Sequence, residues 1–195
     1  MDWNANPPHT ALIMSTTPMP PLPFDQLQTL DESGFMAHLG GVVELSPWVV
    51  ERAWRRRPFA SREALIGALG ACIHDAAPDE QLALLRAHPE LAGREAAAGT
   101  MTTESNAEQG RLGLMTLSHA DWERLQDLNA RYRTRFGFPL MVALRLHASL
   151  DSVFATAEQR LENDPALERE VALGQVCEVV RGRVERLLSD SGVTA

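Results

Sequence analysis

From Phe24 onward one local signal recurs: a residue able to start a helix, followed at once by apolar residues three and four apart. Ser46-Pro47 is an N-cap followed by proline at the first helical position, and the helix carrying Trp48 should stop before Pro58. Ser61 caps a second helix, with Ala64, Leu65, Ala68, Leu69, Cys72 and Ile73 on one face. Asp79 opens a short helix through Leu82 and Leu85, and Thr103 or Ser105 opens another toward Leu112. Ser118, with Asp121 three residues on, starts a helix through Trp122, Leu125, Leu128 and Tyr132. Ser149 caps the next, and Asp164-Pro165 opens the last, through Leu173, Val176, Val180, Val184 and Leu187. This spacing cannot serve a pleated strand, whose side chains alternate faces. No hairpin dipeptide separates two alternating runs, and only Leu140-Met141-Val142-Ala143-Leu144 is compatible with extended backbone. The expected class is all-α, a single-domain multi-helix bundle with irregular helix packing.

The 195 residues suffice for one domain with its own core. Residues 1–23 contain six prolines and no period, and read as a mobile arm in which Ala11-Leu12-Ile13-Met14 is the one apolar run. The helical domain then covers 24–189, and 190–195 is a short tail. Two cysteines, Cys72 and Cys177, make no disulfide framework, and both sit on apolar helix faces where an inert thiol is the plain reading.

Composition removes several classes of function. The net charge of −8 gives no basic footprint for nucleic acid. No apolar run approaches the ~20 residues of a membrane helix, and no positive segment precedes an apolar one near Met1, so the expected location is cytoplasmic. All 18 basic residues are arginine. That excludes a phosphate-loop lysine and a Schiff-base lysine. The six histidines are scattered without metal-ligand spacing, so no metal site is expected. Arg55-Arg56-Arg57 reads as a solvated helix terminus.

Four stretches are candidates for chemistry. His88 directly precedes Pro89 between two helices, which biases it out of the helical region and sets its imidazole at a break. Thr103-Glu104-Ser105-Asn106-Ala107-Glu108-Gln109 is a dense polar cluster, although Ser105 and Glu108 alone fit a capping box. Arg135-Phe136-Gly137-Phe138-Pro139 ends a helix sharply and frees backbone groups that can meet a ligand. In the last helix Arg183 lies two turns from Val176, so it points inward if that stripe is the core, and a buried arginine needs an anionic partner.

These pieces, in order, resemble the 2-oxo-4-hydroxy-4-carboxy-5-ureidoimidazoline (OHCU) decarboxylases of urate breakdown. The resemblance runs from about Phe24 to Leu188. It rests on Glu44-x-Ser46-Pro47-Trp48, Arg57-Pro58-Phe59, His88-Pro89-Glu90-Leu91, Glu104-Ser105-x-x-Glu108-Gln109, Asn129-x-x-Tyr132 and Phe136-Gly137-Phe138-Pro139. It implies a helical, cofactor-independent carboxy-lyase that makes (S)-allantoin from a small anionic ureidoimidazoline, and a homodimer. It places the catalytic groups on His88, Glu108 and Arg183, with Arg181 and Arg186 as the other possible registers of the arginine. Substrate binding falls on Pro89, Ser105, Gln109 and the backbone around Phe138. Asn106, Leu140 and Val184 depart mildly from the family pattern, and Gly182 is a glycine inside a helix.

The residue types suit that reaction. The substrate's carboxylate lies one carbon from a ring C=N bond, so the substrate is its own electron sink. What is left to the protein is to hold an anion (Arg183), move protons (His88) and read amide groups (Gln109, Ser105 and backbone near Phe138). Glu108 either orients His88 or accepts from a substrate N–H. Two other readings stay open: another ureide-processing enzyme, a hydrolase or isomerase, and a purine-metabolite binding protein on the same scaffold.

Overall fold

Helix starts are set mainly by short polar side chains and by proline. The computed structural model describes residues 21–190. The run Ala11–Met14 and the rest of the arm through residue 20 lie outside the described residues, as do 191–195. In chain order come β1 (Leu22–Pro23), α1 (Phe24–Thr29), α2 (Glu32–Leu39), α3 (Trp48–Trp54), α4 (Arg62–His74) and α5 (Pro78–Ala87). Then follow α6 (Arg94–Ala98), α7 (Thr103–Arg111), α8 (His119–Phe136), a 3-10 turn (Leu144–Leu146), α9 (Leu150–Arg160), α10 (Pro165–Leu187) and β2 (Leu188–Ser189).

Ser61, Ser118, Ser149 and Asp164 cap their helices through side-chain oxygens, as the sequence indicates. Three starts differ. The fifth helix begins at Pro78, whose fixed φ suits a first helical position, and Glu80 reaches back to the Ala77 N–H at 3.1 Å. Thr102, not Thr103 or Ser105, caps α7 by accepting from the Ser105 N–H at 3.3 Å. Ser46 makes no side-chain cap, and Pro47 takes the position before α3. Near the two ends of the described residues, Leu22 and Pro23 pair in parallel with Leu188 and Ser189, so the folded unit includes residues before Phe24.

The core is continuous. On α4 the buried face is Leu65, Ile66, Leu69, Cys72 and Ile73, turned slightly from the expected one, so that Ala64 is exposed. The axis of the molecule is α10, which packs against α2, α4, α5 and α8. Its Leu173, Val176, Val180 and Val184 are buried, and Arg183 is only 2% exposed beside them. The apolar stretch Leu140–Leu144 is irregular until the 3-10 turn, with every side chain buried. Arg57 is drawn inward rather than solvated: it donates to the Gln28 and Leu30 carbonyls and lies 3.8 Å from the Trp54 ring centroid. Cys177 is half-buried, and burial pushes its thiol up to about 11, which keeps it protonated and unreactive near neutral pH.

Candidate active site

His88 stands where α5 stops. The following proline disfavours helix, and His88 adopts φ −79°, ψ 141°. This extended turn brings the imidazole back over its own helix. Nδ1 lies 2.8 Å from the Leu84 carbonyl oxygen. A carbonyl can only accept, so Nδ1 carries the proton and neutral His88 has its lone pair on Nε2. Nε2 is buried without a hydrogen-bond partner. Burial pushes the imidazole below its ordinary range; the bond to Leu84 and the Glu44 charge oppose this, and Arg183 reinforces it.

The loop after His88 is pinned from two helices. The Gln109 side chain on α7 accepts from the Ala92 N–H at 2.8 Å and donates to the Glu90 carbonyl at 3.2 Å. From α8, Gln126 donates to the Ala92 carbonyl at 3.1 Å and Asn129 to the Leu91 carbonyl at 2.9 Å. Ala92 has φ +44°, a left-handed conformation unfavourable for a residue with a Cβ. Three amide side chains holding one short loop account for its persistence.

Opposite this loop, α10 delivers Arg183. Its Nε and Nη2 make a two-pronged contact with Glu108 at 3.0 and 2.9 Å, Nη1 donates to Glu44 at 3.0 Å, and Nη2 donates to the Ser105 Oγ at 3.2 Å. Four of the five guanidinium donors are thereby engaged. Burial works against this charge, but the carboxylates of Glu108 and Glu44 outweigh it and hold Arg183 above its ordinary range. Glu44, 3% exposed, also accepts from Ser105 at 2.8 Å and Thr102 at 3.1 Å. Glu108 takes a further contact from Arg186 at 3.0 Å. The charges of Arg183, Arg186, Glu44 and Glu108 therefore balance.

Between these two groups lies a cleft of about 580 Å³, counting its open mouth. His88, Pro89, Ser105, Glu108, Gln109 and Arg183 all line it, so six of the seven singled-out residues converge from stretches far apart in the chain. The seventh, Phe138, is buried against Tyr132 and Phe136 and lines a separate shallow pocket that His88 also borders. The cleft wall near it is instead Leu140–Arg145. Of the alternative registers, Arg186 is at the cleft and Arg181 is turned away to Glu63 at 2.6 Å. Glu108 makes no hydrogen bond to His88; the Leu84 carbonyl orients the ring. The capping-box reading of Ser105 fails because Thr102 occupies the cap and Ser105 turns into the cluster. Glu44 belongs to the site although the sequence reading assigned it no role. An acidic side chain directly after Val42-Val43, opening the motif Glu44-x-Ser46-Pro47-Trp48, was the available signal.

Comparison with known proteins places the chain in a family. A family profile for OHCU decarboxylase matches residues 28–185. The chain is 38% identical over 170 residues to the 2-oxo-4-hydroxy-4-carboxy-5-ureidoimidazoline decarboxylase of Haloferax volcanii, covering 87% of this chain and 98% of that protein. It is also 38% identical over 163 residues to the protein of the same name from Mus musculus, covering 84% of this chain and 91% of that one. Among solved structures it resembles an (S)-allantoin synthase with a TM-score of 0.69 at 26% identity, covering 86% of this chain and 54% of the other. A second structure, OHCU decarboxylase in the presence of (S)-allantoin, shares the fold with a TM-score of 0.61 at 19% identity. The profile match and the two 38% relatives, which this chain covers almost end to end, show that it belongs to the OHCU decarboxylase family.

Proposed function

We propose that this chain decarboxylates 2-oxo-4-hydroxy-4-carboxy-5-ureidoimidazoline to (S)-allantoin. The observation that carries the reading is a buried imidazole whose Nε2 has no hydrogen-bond partner, facing a cleft that also holds a buried arginine. A small anion enters the cleft, and its negative groups meet the remaining donor of Arg183 and the guanidinium of Arg186. The bond from the ring carbon to the carboxylate breaks and CO₂ leaves; the released electron pair forms a C=C bond to the neighbouring carbon, and the C=N π pair moves onto the ring nitrogen, which takes up a proton. The resulting enol becomes the ring amide carbonyl by losing its hydroxyl proton and gaining a proton at the neighbouring carbon.

Nε2 of His88 suits the hydroxyl proton, since a neutral ring accepts it and the protonated ring can then return it. Its place on one side of the cleft favours protonation of one face and hence one enantiomer. Backbone along Leu140–Leu144 suits the ring and ureido amides. Gln109 then acts by holding the 90–92 loop, and Glu108 and Glu44 act by aiming the arginines. The substrate's own imine takes up the electrons, so the reading calls for no cofactor. The same reading takes the protein to be a cytoplasmic homodimer, and light scattering on the purified chain tests the assembly.

The direct experiment generates the unstable substrate from urate with urate oxidase and hydroxyisourate hydrolase, adds this protein and follows circular dichroism. A rapidly growing signal of (S)-allantoin, with CO₂ released in step, is the expected result. No acceleration over uncatalysed decay to the racemate would overturn the reading.

A further inference from the structure

The cleft wall at 140–145 is held by side chains. Arg160 donates to the Met141 carbonyl at 2.6 Å, Gln175 accepts from the Ala143 N–H at 2.9 Å, and Arg111 donates to the Leu144 carbonyl. The last fastening is Arg145, which lies across α10. Its Nε donates to the Glu178 carbonyl at 2.9 Å, Nη2 meets the Glu178 carboxylate at 2.5 Å, and Nη1 is 3.8 Å from Glu185.

Gly182 is what lets Arg145 lie there. A Cβ at this position would stand 2.9 Å from Arg145 Cδ and 3.3 Å from Arg145 Nε, inside normal contact distance. The crowded atom is in the middle of a side chain tethered at its far end, so it cannot simply swing aside. Gly67, Gly110 and Gly174 are also helical, yet a Cβ on any of them would meet nothing within 4 Å. At Gly70 it would meet Cys177 Sγ at an ordinary 3.6 Å, and at Gly34 the cap residue Asp31 at 3.2 Å, so among the helical glycines of the described residues only Gly182 has a neighbour within 3.0 Å, although glycine weakens a helix wherever it occurs. Gly182 directly precedes Arg183, so the strap crosses α10 beside the arginine that lines the opposite side of the cleft.

We propose that Gly182 and Arg145 are a positioning pair: the notch lets Arg145 strap the 140–145 wall to α10, and this sets the spacing between the wall and Arg183. The proposal rests on the substrate reading above. Arg145 itself borders the cleft, but its guanidinium is held by Glu178, so the pair is assigned control of how closely the wall fits the substrate and no contact with reacting atoms. An exposed ion pair on a helix adds little stability by itself. The strap's effect is therefore expected in binding geometry more than in global stability.

Three variants test this: Gly182→Ala, Arg145→Gln and the double variant. Amide exchange of residues 138–147, read by mass spectrometry, reports on the wall without any turnover. Both single variants should speed exchange there by roughly tenfold, as expected for a local opening made easier. In the allantoin assay both should raise KM by about tenfold with kcat kept within about threefold, the pattern of lost uniform binding. Gly182→Ala should not lower the thermal midpoint, because alanine is the better helix former. The double variant should be no worse than Arg145→Gln alone, since both changes remove one contact. Unchanged exchange in both single variants would overturn the strap, and so would losses that simply add. Faster exchange with unchanged KM would overturn its role in substrate spacing. A wild-type chain that makes no allantoin would overturn the substrate reading, while the exchange comparison would still decide the strap.

Discussion

His88 is held by one hydrogen bond, and the direction of that bond decides what the ring can do. With Nδ1–H given to Leu84, only Nε2 is available for chemistry. His88→Asn should lower kcat by roughly 10²–10⁴-fold, the usual scale of general acid–base catalysis, with the far-ultraviolet dichroism of the fold unchanged. The depressed imidazole also predicts a pH profile. In the proposed mechanism neutral His88 is the active form, so kcat/KM should rise from acid pH with a midpoint below the ordinary value of about 6.5. Protonation favours the unfolded chain for the same reason. The stability that His88 contributes is complete above about 6.5 and is lost as pH falls through the folded-state value. Glu44 makes a different prediction. Replacing it by leucine strips a buried arginine of one carboxylate, and denaturant titration should show a loss of about 3–5 kcal/mol. His88 was legible because its place before proline between two helices coincides with the His88-Pro89-Glu90-Leu91 stretch of the family pattern. Glu44 was not, because its function is visible only in the side chains it meets.

Two helix caps look alike in sequence and differ in consequence. Ser118 caps α8 at the surface, and Ser118→Ala should cost about 1 kcal/mol while leaving turnover intact. Thr102 caps α7 and also donates to Glu44. Thr102→Ala should cost a similar amount from the cap and also lower kcat/KM by severalfold, because Glu44 loses one of the donors that aim it at Arg183. Denaturation and steady-state kinetics on the two variants separate these effects. Most helices could be read from the sequence, since cap and period are set by residues a few positions apart. The start of α7 could not. Thr102, Thr103 and Ser105 all have a hydroxyl suited to capping, and the choice fell to Thr102 because Glu44 and Arg183 claim Ser105 from outside the helix.

Across the whole molecule, a second buried charge cluster sits behind the cleft wall. Glu168, fully buried, accepts from Arg160 at 3.0 and 2.5 Å, from Asn163 at 2.7 Å and from the Tyr132 hydroxyl. Through Arg160 this cluster reaches the Met141 carbonyl. Arg160→Met should destabilise by about 3–5 kcal/mol, as it leaves the Glu168 charge buried with fewer partners, and adding Glu168→Leu should recover much of that loss. Thermal and denaturant unfolding of both variants would check the asymmetry. The all-helical class, most of the helices and the apolar stripe of α10 follow from short-range patterns, because capping, helical period and proline geometry act over a few residues. The pairing of Glu44 and Glu108 with Arg183, the pinning of the His88 loop and the strap over Gly182 came only with the folded chain. Buried charges and close backbone approaches depend on groups brought together from far along the sequence, and desolvation makes those partners decisive where spacing alone leaves several equally good.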